Sequence, residues 1–235
     1  MLVTYLDFHL LFITPPFVVL LFVARTRFAS RRDIEWAGIG IIVLLALAYT
    51  APWDNYLIAR GVWEYAPGSV TATVGLAPVE EYMFIVLQPI VAGLWLYSFE
   101  PPSVTVPVST RDRVVGALAG GAVGVLGAVL LLSSATFYMG AILAWAGPVL
   151  ALQWGFGWPY LWRVRRRFAL GVIVPTAYFA AADRAAIEAG IWSLSAEYTT
   201  GITVVGLPIE EGAFFLITNV FVVQGLLLYS WILRR

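Results

Sequence analysis

The sequence predicts an all-α polytopic membrane protein with seven transmembrane helices. Of its 235 residues, 61% are hydrophobic and only 12% are charged, and the mean hydropathy is +0.87. An ordinary soluble domain carries roughly 25% charged residues. Apolar runs of about 20 residues, the length that crosses a bilayer, recur along the whole chain. No polar stretch between them is long enough for a soluble domain, so we expect a single integral membrane domain over residues 1–235.

The seven predicted spans follow one another with short connections. Each approaches the length of a bilayer-crossing helix, and the connections hold most of the charged residues. We place the spans at residues 5–24, 33–52, 77–98, 114–133, 137–157, 168–188 and 207–232.

Arginine placement supports this span count and predicts the orientation. All 14 positively charged residues are arginines, and only Arg60 and Arg184 fall on one side of the predicted bundle. By the positive-inside rule the other side is cytoplasmic, so we expect the N-terminus outside the cell membrane and the C-terminus in the cytoplasm. The cytoplasmic set comprises Arg25, Arg27, Arg31, Arg32, Arg111, Arg113, Arg163, Arg165, Arg166, Arg167, Arg234 and Arg235.

The fourth predicted span reads GALAGGAVGVLGAVLLL and carries Gly116, Gly120 and Gly124 at four-residue spacing. Small residues at this spacing let two membrane helices approach closely. The pattern favours a tight crossing inside the chain, and formation of a homo-oligomer through span 4 is the alternative.

Two pairs of segments form an internal repeat. AYTAPWDNYLIARGVW, residues 48–63, matches AYFAAADRAAIEAGIW, residues 177–192. GLAPVEEYMF, residues 75–84, matches GLPIEEGAFF, residues 206–215. Spans 2 and 3 therefore match spans 6 and 7, while spans 1 and 5 match only weakly.

The repeat predicts how the chain is organised. An even number of spans separates the copies, which predicts two parallel repeats, spans 1–3 and 5–7, joined by span 4. We expect the first repeat over residues 1–100, the linker with span 4 over 101–135 and the second repeat over 136–235. Parallel repeats also occur in transporters, so repetition alone does not assign a function.

Each repeat places two adjacent glutamates at the head of an apolar span. Acids in a first helical turn complement the helix dipole, and proline suits this position, so capping alone explains a single such acid. Their pairing and duplication in a chain that otherwise avoids charge predict a proton-handling site instead. A carboxyl group in an apolar pocket can stay neutral and act as a general acid. The expected set at the outer ends of spans 2, 3, 6 and 7 is Asp54, Pro78, Glu80, Glu81, Asp183, Pro208, Glu210 and Glu211.

Aromatic residues crowd the same end of the predicted bundle, and an interfacial belt explains most of them. Phe84 and Phe214 follow their glutamates by one helical turn and so share their face. An aromatic ring attracts a cation, which suits carbocation chemistry, although plain packing explains the spacing equally well. The aromatic residues are Trp53, Trp63, Tyr65, Tyr82, Phe84, Trp192, Tyr198, Phe214 and Phe215, from which we select Trp63, Tyr82, Phe84, Trp192, Phe214 and Phe215 as candidate cation-stabilising residues.

Several function classes are excluded or disfavoured. No G-x-G-x-x-G motif or phosphate loop is present, so we expect no nucleotide cofactor. His9 is the only histidine and cysteine is absent, so we expect no metal site. The chain has no lysine to hold retinal as a Schiff base, which excludes a seven-helix rhodopsin. The formal net charge of zero argues against a nucleic-acid partner.

Two copies of Pro-x-Glu-Glu with a downstream phenylalanine, each after a helix end that bears an aspartate, resemble the lycopene cyclase domain. This domain occurs in heterodimeric cyclases of actinobacteria and, in fused form, in archaea and fungi. The chain is similar to the fused two-copy form over nearly its whole length. In the second copy Gly212 stands where the first copy has Tyr82.

The resemblance implies a redox-neutral lycopene β-cyclase that closes ψ-ends to β-ionone rings and uses no flavin. Its partners would be lycopene, related carotenoids and the lipid bilayer. We expect Glu80 and Glu210 to be essential, with Glu81 and Glu211 as partners that set their protonation. A cyclase that forms an ε-ring, cyclises a longer carotenoid or acts as half of a heterodimer is one alternative. A proton-coupled transporter and a structural membrane scaffold are alternatives from other classes.

Overall fold

The computed structural model describes residues 3–27, 32–99, 102 and 104–234. Within these residues, seven helices are long and apolar enough to cross a membrane, which confirms the predicted all-α polytopic fold. Arg31 and Arg235, which enter the predicted charge bias, lie outside the described residues. The seven spans are Tyr5–Thr26, Trp36–Ala59, Val79–Tyr97, Thr110–Leu130, Ser134–Arg163, Arg165–Glu188 and Ile209–Leu233.

Eight α-helices and six short strands make up the described fold. The helices are α1 (Tyr5–Phe8), α2 (Thr14–Arg27), α3 (Arg32–Ala59), α4 (Val79–Tyr97), α5 (Thr110–Leu130), α6 (Phe137–Arg163), α7 (Arg165–Glu188) and α8 (Ile209–Leu233). The strands are β1 (Trp63–Tyr65), β2 (Thr73–Val74), β3 (Ala77–Pro78), β4 (Trp192–Leu194), β5 (Thr203–Val204) and β6 (Leu207–Pro208).

The first span combines α1 and α2 through a π-helical turn at His9–Ile13. It begins at Thr4, whose backbone N–H donates to the Asp7 carboxylate at 2.9 Å while Asp7 N–H donates to the Thr4 hydroxyl at 3.1 Å. This capping box fixes the helix start, since it satisfies two otherwise unpaired N–H groups.

The loops from α3 to α4 and from α7 to α8 are built alike. Each contains a three-residue strand and then a tight hairpin, β2–β3 or β5–β6. The hairpin turns use Gly75 and Gly206 with φ of +68° and +80°, a conformation that side chains with a Cβ disfavour. Strands β1 and β4 pair antiparallel and join the two loops. This recurring order agrees with the sequence repeat, while the parallel arrangement of the two repeats stays a prediction.

Helix α5 packs tightly against α6 through its glycines. A Cβ added at Gly116, Gly120 or Gly127 would collide with the backbone of α6, at Trp154, Ala151 and Ala144 respectively. The small-residue face of span 4 is therefore occupied by a helix of the same chain. Self-association through α5 stays a prediction, and it would have to use a different face of that helix.

Helices α4 and α8 pack together near the centre of the bundle. The Gln88 side-chain amide donates to Asn219 Oδ1 at 2.8 Å, and the Asn219 amide donates to the carbonyl of Phe215 at 2.8 Å. These polar side chains are almost fully buried, so the Gln88–Asn219 hydrogen bond joins the two glutamate-bearing helices inside the apolar region. Helix α3 continues to Ala59, beyond the predicted end at residue 52, so Asp54 lies inside the helix and not at its end.

Candidate functional site

A buried cavity of about 50 Å³ lies at the end of the bundle that carries the six strands. Helices α3, α4, α7 and α8 contribute an acidic residue each, and α1 and α6 contribute a tyrosine each. We call this cavity the carboxyl chamber. It is lined by Tyr5, Phe8, Asp54, Trp63, Tyr65, Glu81, Phe84, Tyr138, Asp183, Trp192, Glu211, Phe214 and Phe215.

Pro78 and Pro208 position the acids of α4 and α8. Each is the last residue of a hairpin strand and the N-cap residue of the following helix. Their fixed φ is compatible with a helix start, so each Glu-Glu pair falls in a first helical turn, where the helix dipole favours negative charge.

Glu81 accepts hydrogen bonds from two tyrosine hydroxyls. Tyr5 donates to Glu81 Oε2 at 2.7 Å and Tyr65 donates to the same oxygen at 2.9 Å. Trp63 Nε1 donates in turn to the Tyr65 hydroxyl oxygen at 3.1 Å. Burial and the neighbouring Glu81 carboxyl raise the pKa of Tyr65 well above its ordinary value, so its hydroxyl keeps its proton and remains a donor.

Glu211 has a corresponding partner in the second half of the chain. Tyr138, near the start of α6, lines the chamber together with Glu211 and interacts with its carboxyl group. Tyr138 is only 2% exposed, and Glu211 is buried as well. The chamber thus contains one tyrosine–glutamate contact from each half.

Asp54 and Asp183 complete the acidic lining. Each is only 3% exposed, and each interacts electrostatically with both Glu81 and Glu211. Trp192 Nε1 donates to Asp183 Oδ1 at 3.2 Å. The Oδ2 atoms of both aspartates have no hydrogen-bond partner among the described residues. Buried carboxyl oxygens without partners are costly, which is typical of groups retained for function.

The other glutamate of each pair points into its own hairpin loop. Glu80 Oε1 accepts the backbone N–H of Thr71 at 2.8 Å. Glu210 Oε1 accepts the backbone N–H of Thr200 at 2.8 Å and its hydroxyl at 2.7 Å. Both glutamates are buried, but neither lines the chamber. The sequence favours these two as the essential acids, which stays a prediction, and in the structure each links a helix start to its hairpin loop.

Most of the aromatic candidates line the chamber, and one does not. Tyr82 lies outside it, where its hydroxyl accepts from the Asn55 amide at 2.9 Å and donates to the carbonyl of Val74 at 2.8 Å. Its expected contact with a cation stays a prediction, and in the structure Tyr82 links α3, α4 and β2. The aromatic candidates at the chamber are Trp63, Phe84, Trp192, Phe214 and Phe215.

An apolar groove of about 400 Å³ lies beside the chamber, between α3, α4, α6 and α8. Phe84 and Phe214 line both spaces and therefore form the boundary between them. The groove walls include Leu45 and Leu152, which are 59% and 72% exposed on the outer surface of the bundle. The groove thus connects the chamber wall with the surface that faces lipid in a membrane.

The residues that line the chamber include no basic side chain. The two arginines at this end are engaged elsewhere: Arg60 lies over the ring of Phe137, and Arg184 pairs with Glu188 at 2.7 Å. Four carboxyl groups in a small cavity without a counter-ion repel one another when ionised, so the set retains protons and shares them.

The described part of the chain contains no group of side chains that could hold a metal ion. His9 Nδ1 lies 3.0 Å from the carbonyl of Tyr5, within the first span, and Nε2 has no hydrogen-bond partner among the described residues. A single imidazole does not make up the three or four ligands of a typical zinc site.

Four chamber residues were not among the candidate site residues predicted from the sequence: Tyr5, Phe8, Tyr65 and Tyr138. Tyr65 lies in β1, and the other three lie in spans 1 and 5, where the two halves match only weakly. Tyr5 and Tyr138 nevertheless stand at the start of the first span of each predicted repeat, and this shared position was the available signal.

The fold and the chamber define a multi-pass membrane protein in which buried carboxyl groups adjoin an apolar groove. Comparison with known proteins gives the family. The chain is 55% identical over 236 residues to lycopene beta-cyclase of Halobacterium salinarum, and the match covers 100% of this chain and 99% of the relative. The chain belongs to the lycopene cyclase family, which confirms the resemblance carried by its motifs.

Fungal relatives match along one part of their length. The chain is 31% identical to the bifunctional lycopene cyclase/phytoene synthase of Phycomyces blakesleeanus, a match that covers 94% of this chain and 38% of the relative. It is 33% identical to the enzyme of the same description from Aspergillus niger, over 79% of this chain and 34% of the relative. No family model and no solved structure matches the chain.

Proposed function

We propose that this chain is an isomerase of carotenoid biosynthesis that cyclises the ψ-ends of lycopene to β-ionone rings. The observation that carries the proposal is the convergence of Glu81 and Glu211, from two separate helices, on one buried chamber beside an apolar groove. The full-length relation to a protein named lycopene beta-cyclase supports the same reaction. Closure of one end gives γ-carotene, and closure of the second gives β-carotene.

The reaction moves protons and gains or loses no atom overall. A carboxylic acid protonates the terminal alkene of the ψ-end and leaves a tertiary cation. The internal alkene attacks this cation and closes a six-membered ring, and a carboxylate then removes a ring proton. Such general acid–base catalysis contributes typically 10²–10⁴-fold, and the aligned carboxylates and aromatic rings stabilise the cationic charge.

We assign the proton transfers to Glu81 and Glu211, since both line the chamber beside buried tyrosines. Asp54 and Asp183 line the same chamber and take part in the sharing of its protons. Glu80 and Glu210 support the site indirectly because they hold the hairpin loops. Phe84 and Phe214 present rings at the boundary, where the reacting end enters.

The groove suits a long hydrocarbon that is dissolved among lipid tails. Its walls are almost entirely apolar, so a polyene gains the favourable burial of its surface there. We propose that lycopene enters sideways from the bilayer between α3 and α6. The chamber is smaller than a six-membered ring with its methyl groups, so Phe84 and Phe214 must turn aside to admit the reacting end.

The arginine bias supports a cell-membrane protein with the chamber near the outer face, the N-terminus outside and the C-terminus in the cytoplasm. The chain has no cysteine, so single cysteines can be introduced for labelling by a membrane-impermeant reagent. A cysteine at Glu197 should react in intact cells and one at Arg166 only after lysis; the reverse pattern would overturn this orientation.

We also propose that copies of the chain associate through the face of α5 that does not contact α6. Leu118 and Val125 lie on the exposed face of α5, away from its glycine contact with α6. Single cysteines at these positions should crosslink between copies if this face forms a homo-oligomer, and absence of crosslinks in native membranes would argue for a monomer.

Expression in lycopene-accumulating bacteria, followed by chromatography of the pigments, tests the proposed function. Wild-type chain should convert lycopene to β-carotene through γ-carotene. ε-Ring products would support the alternative of a cyclase with a different site of proton loss. Unchanged lycopene, with the protein present in the membrane, would overturn the proposal.

A further inference from the structure

The two halves of the chamber differ in the number of hydroxyl donors. In the aligned repeat Trp63 corresponds to Trp192, so Tyr65 corresponds to Leu194. Tyr65 donates its hydroxyl to Glu81 at 2.9 Å, whereas Leu194 has no polar side-chain atom to donate. The inequality therefore arises from a single aligned position.

The result is an unequal pair of carboxyl groups. Glu81 Oε2 accepts hydrogen bonds from both Tyr5 and Tyr65, while Glu211 has one tyrosine partner, Tyr138. Hydroxyl donors stabilise a carboxylate more than a neutral carboxyl group. Glu81 is therefore better suited to be ionised, and Glu211 is better suited to hold a proton.

We infer that, within the proposed cyclisation, Glu211 is the acid that protonates the ψ-end and Glu81 is the base that removes the ring proton. The inference rests on the proposed function and goes beyond it, because the reaction alone requires one acid and one base without saying which residue is which. Tyr65 is then a positioning residue that keeps Glu81 ionised.

Every proton and electron pair in this scheme is accounted for. The proton of Glu211 adds to the terminal alkene, whose π pair forms the C–H bond. The π pair of the internal alkene forms the ring bond, and the C–H pair released to the ring when Glu81 takes the proton becomes the new double bond. Each turnover leaves Glu81 protonated and Glu211 ionised. Asp54 and Asp183 interact with both, so they are placed to return the proton to Glu211.

Other titratable groups also face these two carboxyl groups. Glu81 and Glu211 face each other, and both face Asp54 of α3 and Asp183 of α7. Glu81 also faces Tyr5 of α1 and Tyr65 of β1. Glu211 also faces Tyr138 of α6 and Glu210 of its own helix. The aspartates interact with both glutamates, so the tyrosines and the Glu210 carboxyl beside Glu211 make the difference between them.

The pH dependence of ring formation tests the assignment. Full-length protein in detergent, where both faces meet the same pH, is assayed with lycopene. Activity requires an ionised base, which sets the acidic limb, and a protonated acid, which sets the basic limb. Tyr65→Phe should move the acidic limb to higher pH by about one unit, because Glu81 loses a donor. Tyr138→Phe should move the basic limb to higher pH.

Two more variants complete the design. Leu194→Tyr should move the basic limb to lower pH, since residue 194 packs in the same cluster as Tyr138 and would offer Glu211 a second hydroxyl. Tyr56→Phe removes the hydroxyl of an exposed tyrosine and should leave both limbs in place. Leu194→Tyr also keeps the test valid if Tyr65→Phe fails to fold.

The possible outcomes separate the assignment of acid and base from the proposed cyclisation itself. Movement of the basic limb by Tyr65→Phe, or of neither limb by any of the three chamber variants, would overturn the assignment while ring formation by wild type still stands. No ring formation by wild type and by Tyr56→Phe would overturn the proposed function instead.

Discussion

Adjacent residues of a helix point about 100° apart, and this angle separates the two glutamates of each pair. Glu81 and Glu211 reach the chamber, while Glu80 and Glu210 turn to the hairpin loops. Two residues of identical chemistry therefore meet different surroundings. One of each pair lines the chamber, where we propose that it exchanges a proton with the substrate, and the other accepts a backbone N–H of its loop.

Amide substitution should separate these roles. Glu81→Gln and Glu211→Gln each remove an ionisable group from the chamber, so we expect ring formation to fall by about 100-fold or more. Glu80→Gln and Glu210→Gln retain an oxygen that accepts the loop N–H, so activity should stay within a few-fold of wild type. Pigment composition and the amount of protein in the membrane are measured together. Normal β-carotene from Glu81→Gln or Glu211→Gln would contradict the assignment.

The sequence could predict that four glutamates lie at one end of the bundle and could not predict which two reach the chamber. Adjacent positions share the same composition signal, and the choice between them depends on helix rotation, which is set by packing. Tyr5 and Tyr138 were not predicted as site residues for a related reason. Their spans carry no repeated motif, and a single tyrosine near a membrane interface is expected in an aromatic belt.

At the scale of elements, we propose that the chamber holds the chemistry and the groove binds the substrate. The groove lies between α3 and α6, which are joined at one level by Tyr49 and Trp145: the Tyr49 hydroxyl donates to the carbonyl of Trp145 at 2.8 Å. Their rings also stack with centroids 5.5 Å apart. Beyond this contact the walls are apolar and open to lipid, so groove width should control entry of the polyene.

Filling the groove should slow cyclisation without altering the carboxyl groups. Ala46 lines the groove, and Ala46→Trp places a large side chain in the proposed path of the substrate. The neighbouring Ala48 is exposed and lies outside the groove, so Ala48→Trp is the matched control. We expect lycopene to accumulate with the first variant only, at equal protein levels. Equal β-carotene from both variants would place the entry path elsewhere.

The contact between α5 and α6 should depend on individual glycines. A Cβ at Gly120 would collide with the backbone of Ala151, whereas a Cβ at Gly121 meets nothing within 4 Å. Gly120→Leu should therefore destabilise the protein by about 1–3 kcal/mol or more, as overpacking does, and Gly121→Leu should be close to neutral. Thermal unfolding of the purified protein measures the difference, and similar melting temperatures for both variants would contradict the packing described here.

At the scale of the whole molecule, apolar length and arginine placement were sufficient to predict seven spans, because bilayer thickness fixes helix length. Helix ends were less predictable. Helix α3 continues past its apolar run to Ala59 and ends at the loop that carries β1. The pairing of β1 with β4 had no local signal either, since each strand is only three residues long.

The chamber takes residues from both halves of the chain, which makes the predicted repeat boundaries testable. The first half supplies Tyr5 and Glu81, and the second supplies Tyr138 and Glu211. Neither half alone contains both members of the proposed acid–base pair. Membrane helices can insert separately and associate afterwards, so a chain divided between α4 and α5 is expected to reassemble.

We therefore predict that residues 1–103 and 104–235, expressed as two chains in lycopene-accumulating bacteria, restore ring formation only together. The tight packing of α5 on α6 stays within the second chain, and α4 meets α7 and α8 across the division through a broad buried surface. Pigment analysis of cells with either chain alone should show lycopene. Rings formed by one chain alone would mean that a single half, or a pair of identical halves, builds a working site. Co-expression with Glu211→Gln in the second chain is the control, because it should assemble equally and leave lycopene unchanged.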